Sequence, residues 1–248
     1  MRLAGRRALI TGGGSGTGAA IARTLVAAGA EVAIVGRRPE PLHDTAASTA
    51  GITAIVADVT SEAEVARAFT EAGPVDIVVA NAGDGESAPF ERTTLELWER
   101  MIAVNLTGVF LTLREGLRQL PDRSWGRLVT VASTAGLKGY AYVTAYTAAK
   151  HGAVGLTRAI AQEVARTGVT ANALCPGYLD TEMTQRTIAN IVAATGRTED
   201  DARRTLTKVN PQGRLVEPDE VAAATLWLCG PDSGAINGQA IAIAGGEL

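Results

Sequence analysis

Short apolar runs alternate with longer amphipathic stretches along this chain. The first run, residues 8–11, ends in glycines, after which Ile21, Leu25 and Ala28 recur at helical spacing as far as Gly29. That pattern reads as strand, turn, helix. Residues 31–35, 53–57, 75–80, 127–132, 170–174 and 240–244 read as six further strands, each bounded by glycine or polar residues. Ser61 with Glu64, and Thr93 with Glu96, have the spacing of capping boxes, which predicts helix starts at both places. A long helix is expected over 144–166, and Pro218 opens another. Strands separated by helices with short links predict an α/β fold: one doubly wound, parallel, seven-stranded sheet with helices on both faces, formed by a single domain over 1–248. Residues 182–208 depart from the rhythm. They are polar and charged, with Gly196 as a break and Thr198 three before Asp201 as a second helix start. Ligands of open α/β sheets lie beyond the carboxyl ends of the strands, so this insert after the sixth strand reads as a small helical lid.

The 248 residues are 46% hydrophobic and 20% charged, ordinary for a globular chain with a sizeable core, while aromatics reach only 4%. Alanine and glycine fill that deficit and imply close packing of helix on sheet. A formal net charge of -3 offers no basic footprint, so nucleic acid and anionic membrane are not expected partners. No run reaches the roughly 18 apolar residues of a membrane span, and the start resembles no signal peptide; a cytoplasmic location is expected. Two cysteines, Cys175 and Cys229, make no disulfide framework, and with only two histidines, His43 and His151, no metal site is expected.

The turn after the first strand is Thr11, Gly12, Gly13, Gly14, Ser15, Gly16, Thr17, Gly18. Glycine lets backbone approach phosphate closely, and the helix that follows offers its N-terminal N–H groups to that charge. A dinucleotide is the expected ligand. At the end of the second strand a carboxylate would bind a ribose 2′-hydroxyl, whereas an arginine suits a 2′-phosphate. The chain has Gly36, Arg37 and Arg38 there, so NADP(H) is expected over NAD(H).

Tyr146 and Lys150 are four residues apart on the predicted long helix, and Ser133 lies thirteen before the tyrosine at a strand end. Positions i and i+4 lie one above the other, so the Lys150 ammonium can approach the Tyr146 phenol and favour its phenolate. A hydroxyl such as Ser133 can donate to a carbonyl oxygen as that oxygen gains charge.

Together these residues resemble the short-chain dehydrogenase/reductase family, and the likeness runs from residue 7 to 246. The turn from Thr11 to Gly18 is similar to its cofactor turn, Asp58-Val59 to its adenine-binding pair, and Asn81-Ala82-Gly83 to the motif that steadies the sheet beside the cofactor. Asn105, Ser133, Tyr146 and Lys150 match its catalytic tetrad, and Pro176-Gly177 followed by Thr181 its nicotinamide-holding segment. The resemblance implies a Rossmann-like fold and hydride exchange between a nicotinamide and a small ketone or secondary alcohol, with no covalent intermediate. Tyr146 would serve as general acid or base, Lys150 would depress its pKa and hold the nicotinamide ribose, Ser133 would polarise the carbonyl, and Asn105 would hold a proton-relaying water. Asn105, Ser133 and the Gly245-Gly246 pair look similar to 3-oxoacyl thioester reductases and related ketoreductases. The family also suggests a homotetramer, with region 84–119 and the long helix at its interfaces. Two positions depart from the family pattern: Thr17 stands where an aliphatic residue is usual, and Ala80 where a second asparagine is frequent.

Other residues have weaker chemistry. His151 follows Lys150 and points elsewhere, and Cys175 reads as core. Tyr140, Tyr142 and Tyr178 are candidates for a substrate wall. Arg186, Arg197, Arg203, Arg204 and Lys208 give the lid a basic character suited to an acyl carrier's phosphates, diluted by Glu182, Glu199, Asp200 and Asp201 into a solvated face. Two alternative functions remain at this stage: an NAD-dependent 3-hydroxyacyl or other hydroxy-compound dehydrogenase, and a non-catalytic nucleotide-binding regulator.

Overall fold

The computed structural model describes residues 2–248. Strands β1 (Arg7–Thr11), β2 (Glu31–Gly36), β3 (Ile52–Val56), β4 (Ile77–Ala80), β5 (Gly126–Val131), β6 (Val169–Pro176) and β7 (Ala240–Ile243) form one sheet in the order β3-β2-β1-β4-β5-β6-β7. Every pairing is parallel, as the alternation of runs predicts. The order reverses between β1 and β4, and a crevice opens beyond the carboxyl ends there. The inner strands are apolar on both faces because each face is covered. Ile77 and Val79 of β4 belong to one core layer with Ile21, Leu25 and Val221, while Val78 and Ala80 belong to the other with Phe69, Leu113 and Val164.

Helices α1 (Gly16–Ala27), α2 (Pro39–Ser48) and α3 (Glu62–Ala72) alternate with the first four strands. The link from β4 to β5 carries α4 (Leu95–Ile102) and α5 (Gly108–Gln119), joined by a π-helical turn at Ala103–Thr107. α5 lies close on the sheet because Gly116 has no side chain; a Cβ there would stand 2.5 Å from Val78 Cγ2. α6 (Thr144–Val164) follows β5 and α9 (Pro218–Leu228) precedes β7. Between β6 and α9 stand α7 (Glu182–Thr195) and α8 (Glu199–Thr207), the expected lid. Gly196 ends α7 in the left-handed region at φ 68°, and Thr198 Oγ1 accepts the Asp201 N–H to open α8, so both sequence signals act as expected.

The predicted caps need correction. Ser61 Oγ accepts the Glu64 N–H at 3.4 Å, but the Glu64 carboxylate turns to the Asp58 N–H at 2.9 Å, leaving half a capping box. α4 is capped by Thr94, not Thr93, whose hydroxyl donates to the Pro89 carbonyl. No helix among the described residues is long and apolar enough to cross a membrane.

Candidate active site

A cleft of about 500 Å³ runs along the carboxyl ends of β1, β2, β4, β5 and β6 and takes in nearly every site residue expected from the sequence. At its base the Thr11–Gly18 turn is packed too tightly for side chains. A Cβ on Gly12 would lie 2.9 Å from both Ala82 Cα and Asn81 Nδ2, and one on Gly18 would collide with the Gly12 carbonyl. Asn81 fastens β4 to this turn: its Nδ2 donates to the Thr11 and Gly12 carbonyls at 2.9 and 3.2 Å, while Thr11 Oγ1 accepts the N–H groups of Asn81 and Ala82, both at 3.1 Å. The Ser15 side chain makes no cap bond, so it leaves the first N–H groups of α1 uncapped where Gly14, Ser15 and Gly16 line the cleft. Thr17, the departure from the family pattern, is buried and lines the same cleft. This cradle of bare backbone fits the pyrophosphate of a dinucleotide.

Farther along the cleft stand Arg37, Arg38, Asp58 and Val59. Arg37 Nη1 stands 3.8 Å from Asp58 Oδ2, and the Asp58 carboxylate also accepts the N–H and hydroxyl of Thr60 at 2.9 and 2.8 Å. Arg38 Nη2 reaches Glu182 of the lid at 3.2 Å, and Arg186 of the lid reaches Asp84 at the same distance. These two exposed pairs bridge the mouth of the cleft, and neither was legible in the sequence. Within the lid Arg204 is occupied by Asp201 and Arg203 by Gln185.

At the inner end Ser133 leaves β5, and Tyr146 and Lys150 project from the first turns of α6. Lys150 is buried and donates to the Val131 carbonyl at 3.1 Å, with Nζ 5.5 Å from the Tyr146 ring centroid. Burial pushes the Lys150 amine down to about 8. Burial also pushes the Tyr146 phenol up to about 12, opposed by a hydrogen bond with Ser133. The expected fall in the Tyr146 pKa is therefore not found: desolvation outweighs the Ser133 hydrogen bond, and the Lys150 amine donates to the Val131 carbonyl.

Asn105 is fully buried in the π turn. Its Nδ2 donates to the carbonyls of Asp84 and Met101 at 2.9 and 3.0 Å, and its Oδ1 accepts the Asp84 N–H at 3.2 Å. Gly83 separates it from Lys150; a Cβ there would lie 3.0 Å from Asn105 Oδ1 and 3.5 Å from Lys150 Nζ. Ala82, Pro176, Gly177 and Thr181 complete the lining. Tyr140 and Tyr178 stand in the wall, but Tyr142 is 65% exposed at φ 69° and outside it, which corrects that expectation. His151 is exposed and bonded to the Thr147 carbonyl; Cys175 is buried, its thiol pushed up to about 11 by burial. Two residues near the wall, Lys138 and Glu247, were not anticipated, and the only sequence signal for them was the Gly245-Gly246 pair.

Residues 6–210 match the family model described as short chain dehydrogenase. The chain belongs to this family. It is 39% identical to the granaticin polyketide synthase putative ketoacyl reductase 1 of Streptomyces violaceoruber, over 96% of this chain and 92% of that one. It is 36% identical to the D-beta-hydroxybutyrate dehydrogenase of Rhizobium meliloti, over 97% and 98%. Among solved structures it superposes on a single-substitution variant of actinorhodin polyketide ketoreductase with NADPH at a TM-score of 0.92 and 36% identity, covering 98% of this chain and 97% of that chain. The protein is thus an oxidoreductase of the short-chain dehydrogenase family, acting between hydroxyl and ketone with a nicotinamide cofactor. The non-catalytic regulator falls away.

Proposed function

We propose that this chain is an NADP(H)-dependent ketoreductase, and that Tyr146 is its general acid and base. The observation that carries the reading is the meeting of Ser133, Tyr146 and Lys150 at one end of a cleft whose other end is the bare backbone cradle. When bound, the reduced nicotinamide supplies the hydride that reaches the carbonyl carbon. Ser133 donates a hydrogen bond to the substrate oxygen and the Tyr146 phenol gives that oxygen its proton, so the ketone becomes a secondary alcohol. Lys150 holds the nicotinamide ribose and returns a proton toward Tyr146. Asn105 Oδ1 takes one bond from Asp84 and has capacity for a second, which suits a water beside Lys150. Pro176, Gly177 and Thr181 hold the carboxamide end.

Arg37 and Arg38 support NADP(H), since the residues that end β2 include no carboxylate and both arginines line the cleft. Arg37→Asp is expected to shift the ratio of NADPH to NADH dissociation constants toward NADH by at least about tenfold, or about 1.4 kcal/mol. Equilibrium titration with both cofactors reads this directly, and an unchanged ratio removes Arg37 from 2′-phosphate recognition. A second reading, an NAD-dependent hydroxy-compound dehydrogenase, is favoured by Asp58, a carboxylate that lines the same end of the cleft and already partners Arg37. Turnover of a 3-oxo ester and 3-hydroxy acid panel with each cofactor separates the two.

We also propose a homotetramer. Phe90, Leu95, Trp98 and Phe110 expose apolar surface on and beside α4 and α5, which a second copy would cover. Analytical ultracentrifugation should give four chains of 25.5 kDa each, and a monomer would end that assignment.

A further inference from the structure

The chain after β7 turns back toward the substrate end of the cleft. Gly245 and Gly246 both lie in the left-handed region, at φ 60° and 95°, and a side chain on Gly245 would overlap that of Asn210. This double turn delivers the Glu247 carboxylate into the protein, where its side chain is only 3% exposed. Lys138 Nζ meets Glu247 Oε1 at 2.8 Å, and the Tyr140 hydroxyl donates to the same oxygen. The Tyr140 oxygen also stands 2.6 Å from Thr134 Oγ1, on the residue next to Ser133. The Tyr140 ring meets Tyr178 edge to face at 6.4 Å, and both rings line the cleft. Lys138 Nζ lies 5.0 Å from the Tyr140 ring centroid, so the cation steadies both the carboxylate and the ring. A carboxylate this buried is costly unless paired. Here both its partners belong to the loop between Ser133 and Tyr146.

We propose that Glu247 is a positioning residue: through Tyr140 and Lys138 it fixes the Tyr140–Tyr178 wall against which the substrate's carbon chain is oriented. The inference rests on the ketoreductase reading for its substrate. It assigns the Gly245-Gly246 pair a purpose, namely to carry this carboxylate back to the site. Burial and the bond to Glu247 keep the Tyr140 phenol protonated, so that it remains a donor to the carboxylate. Among the described residues the Glu247 carboxylate forms its ion pair with Lys138 alone, so the loop and the C-terminal turn are tied by a single charged contact.

The test uses the full chain and the variants Glu247→Ala, Glu247→Gln, Lys138→Met and Tyr140→Phe, with a prochiral 3-oxo ester as substrate. Glu247→Ala and Tyr140→Phe are expected to raise the ester KM about tenfold, with kcat within about threefold, and to erode the enantiomeric excess of the alcohol. Glu247→Gln, which keeps an acceptor for Tyr140, should recover part of both effects. NADPH binding, followed by fluorescence, should stay at the parent value in all four. Hydrogen exchange over residues 134–142 should quicken about tenfold in Glu247→Ala without any substrate, while exchange in the glycine turn stays at the parent rate. A parent that reduces no ester defeats the ketoreductase reading and leaves the exchange arm to decide the positioning role. A parent that turns over, with variants unchanged in KM, enantiomeric excess and exchange, defeats the positioning role alone. Should Glu247→Ala not fold, Glu247→Gln and Tyr140→Phe carry the same comparison.

Discussion

Tyr146→Phe is expected to cut kcat by at least about a hundredfold, the usual scale for losing a positioned proton donor. The substitution removes one oxygen and keeps the ring, which packs against Leu97, Met101 and Ala145, so the fold has no reason to fail. The phenol is held near 12 by burial, above its ordinary value, so at neutral pH it is protonated and ready to give a proton in the reducing direction. Because the glycine cradle and the Arg37–Arg38 corner are made by other elements, cofactor affinity should change by no more than about threefold. Stopped-flow turnover beside an NADPH titration separates the two quantities. A variant that keeps its rate takes Tyr146 out of the proton step, and one that loses rate only through cofactor affinity makes it a binding residue.

The parts of this site that the sequence made legible are those in which local chemistry decides the geometry. Parallel strands buried on both faces show as short apolar runs, and glycines that must touch backbone show as a turn of glycines. The i, i+4 relation of Tyr146 and Lys150 follows once their helix is recognised. What stayed hidden depends on contacts across the fold. The π turn at Ala103–Thr107 has no signature of its own; Asn105 is held there by carbonyls of Met101 and Asp84, the second of them 21 residues away. Glu96 singles out Thr93 as the cap in sequence, but the Pro89 carbonyl takes the Thr93 hydroxyl and Thr94 caps the helix instead. Tyr142 misled because its direction is set by a backbone angle that sequence does not display, whereas Tyr140 is aimed by Glu247, 107 residues later. Helix spacing brings Lys150 near Tyr146 but does not display the desolvation that raises the phenol and lowers the amine.

Lys150→Met is expected to abolish turnover and at the same time to stabilise the fold at neutral pH. Lys150 is 3% exposed and has one protein acceptor among the described residues, the Val131 carbonyl, so its ammonium gives up hydration for a single bond. Its folded pKa, about 8, lies below the ordinary 10.5. Between these values the unfolded chain binds more protons, so this group's contribution to stability rises as pH climbs through that window, and its full penalty is present below about 8. The shift corresponds to an upper bound of about 3 kcal/mol at roughly 1.4 kcal/mol per unit, and leaving the Val131 carbonyl unpaired returns about 1 kcal/mol of it. A net gain of about 1–2 kcal/mol should raise the melting temperature by about 2–8 °C at pH 7, and the gain should shrink toward zero by about pH 10. Calorimetry across that range decides the matter. A methionine variant that melts lower at pH 7, or whose advantage is independent of pH, means that the amine is well solvated in its pocket. A retained advantage with lost turnover means that the protein keeps a destabilising buried cation for the sake of its chemistry.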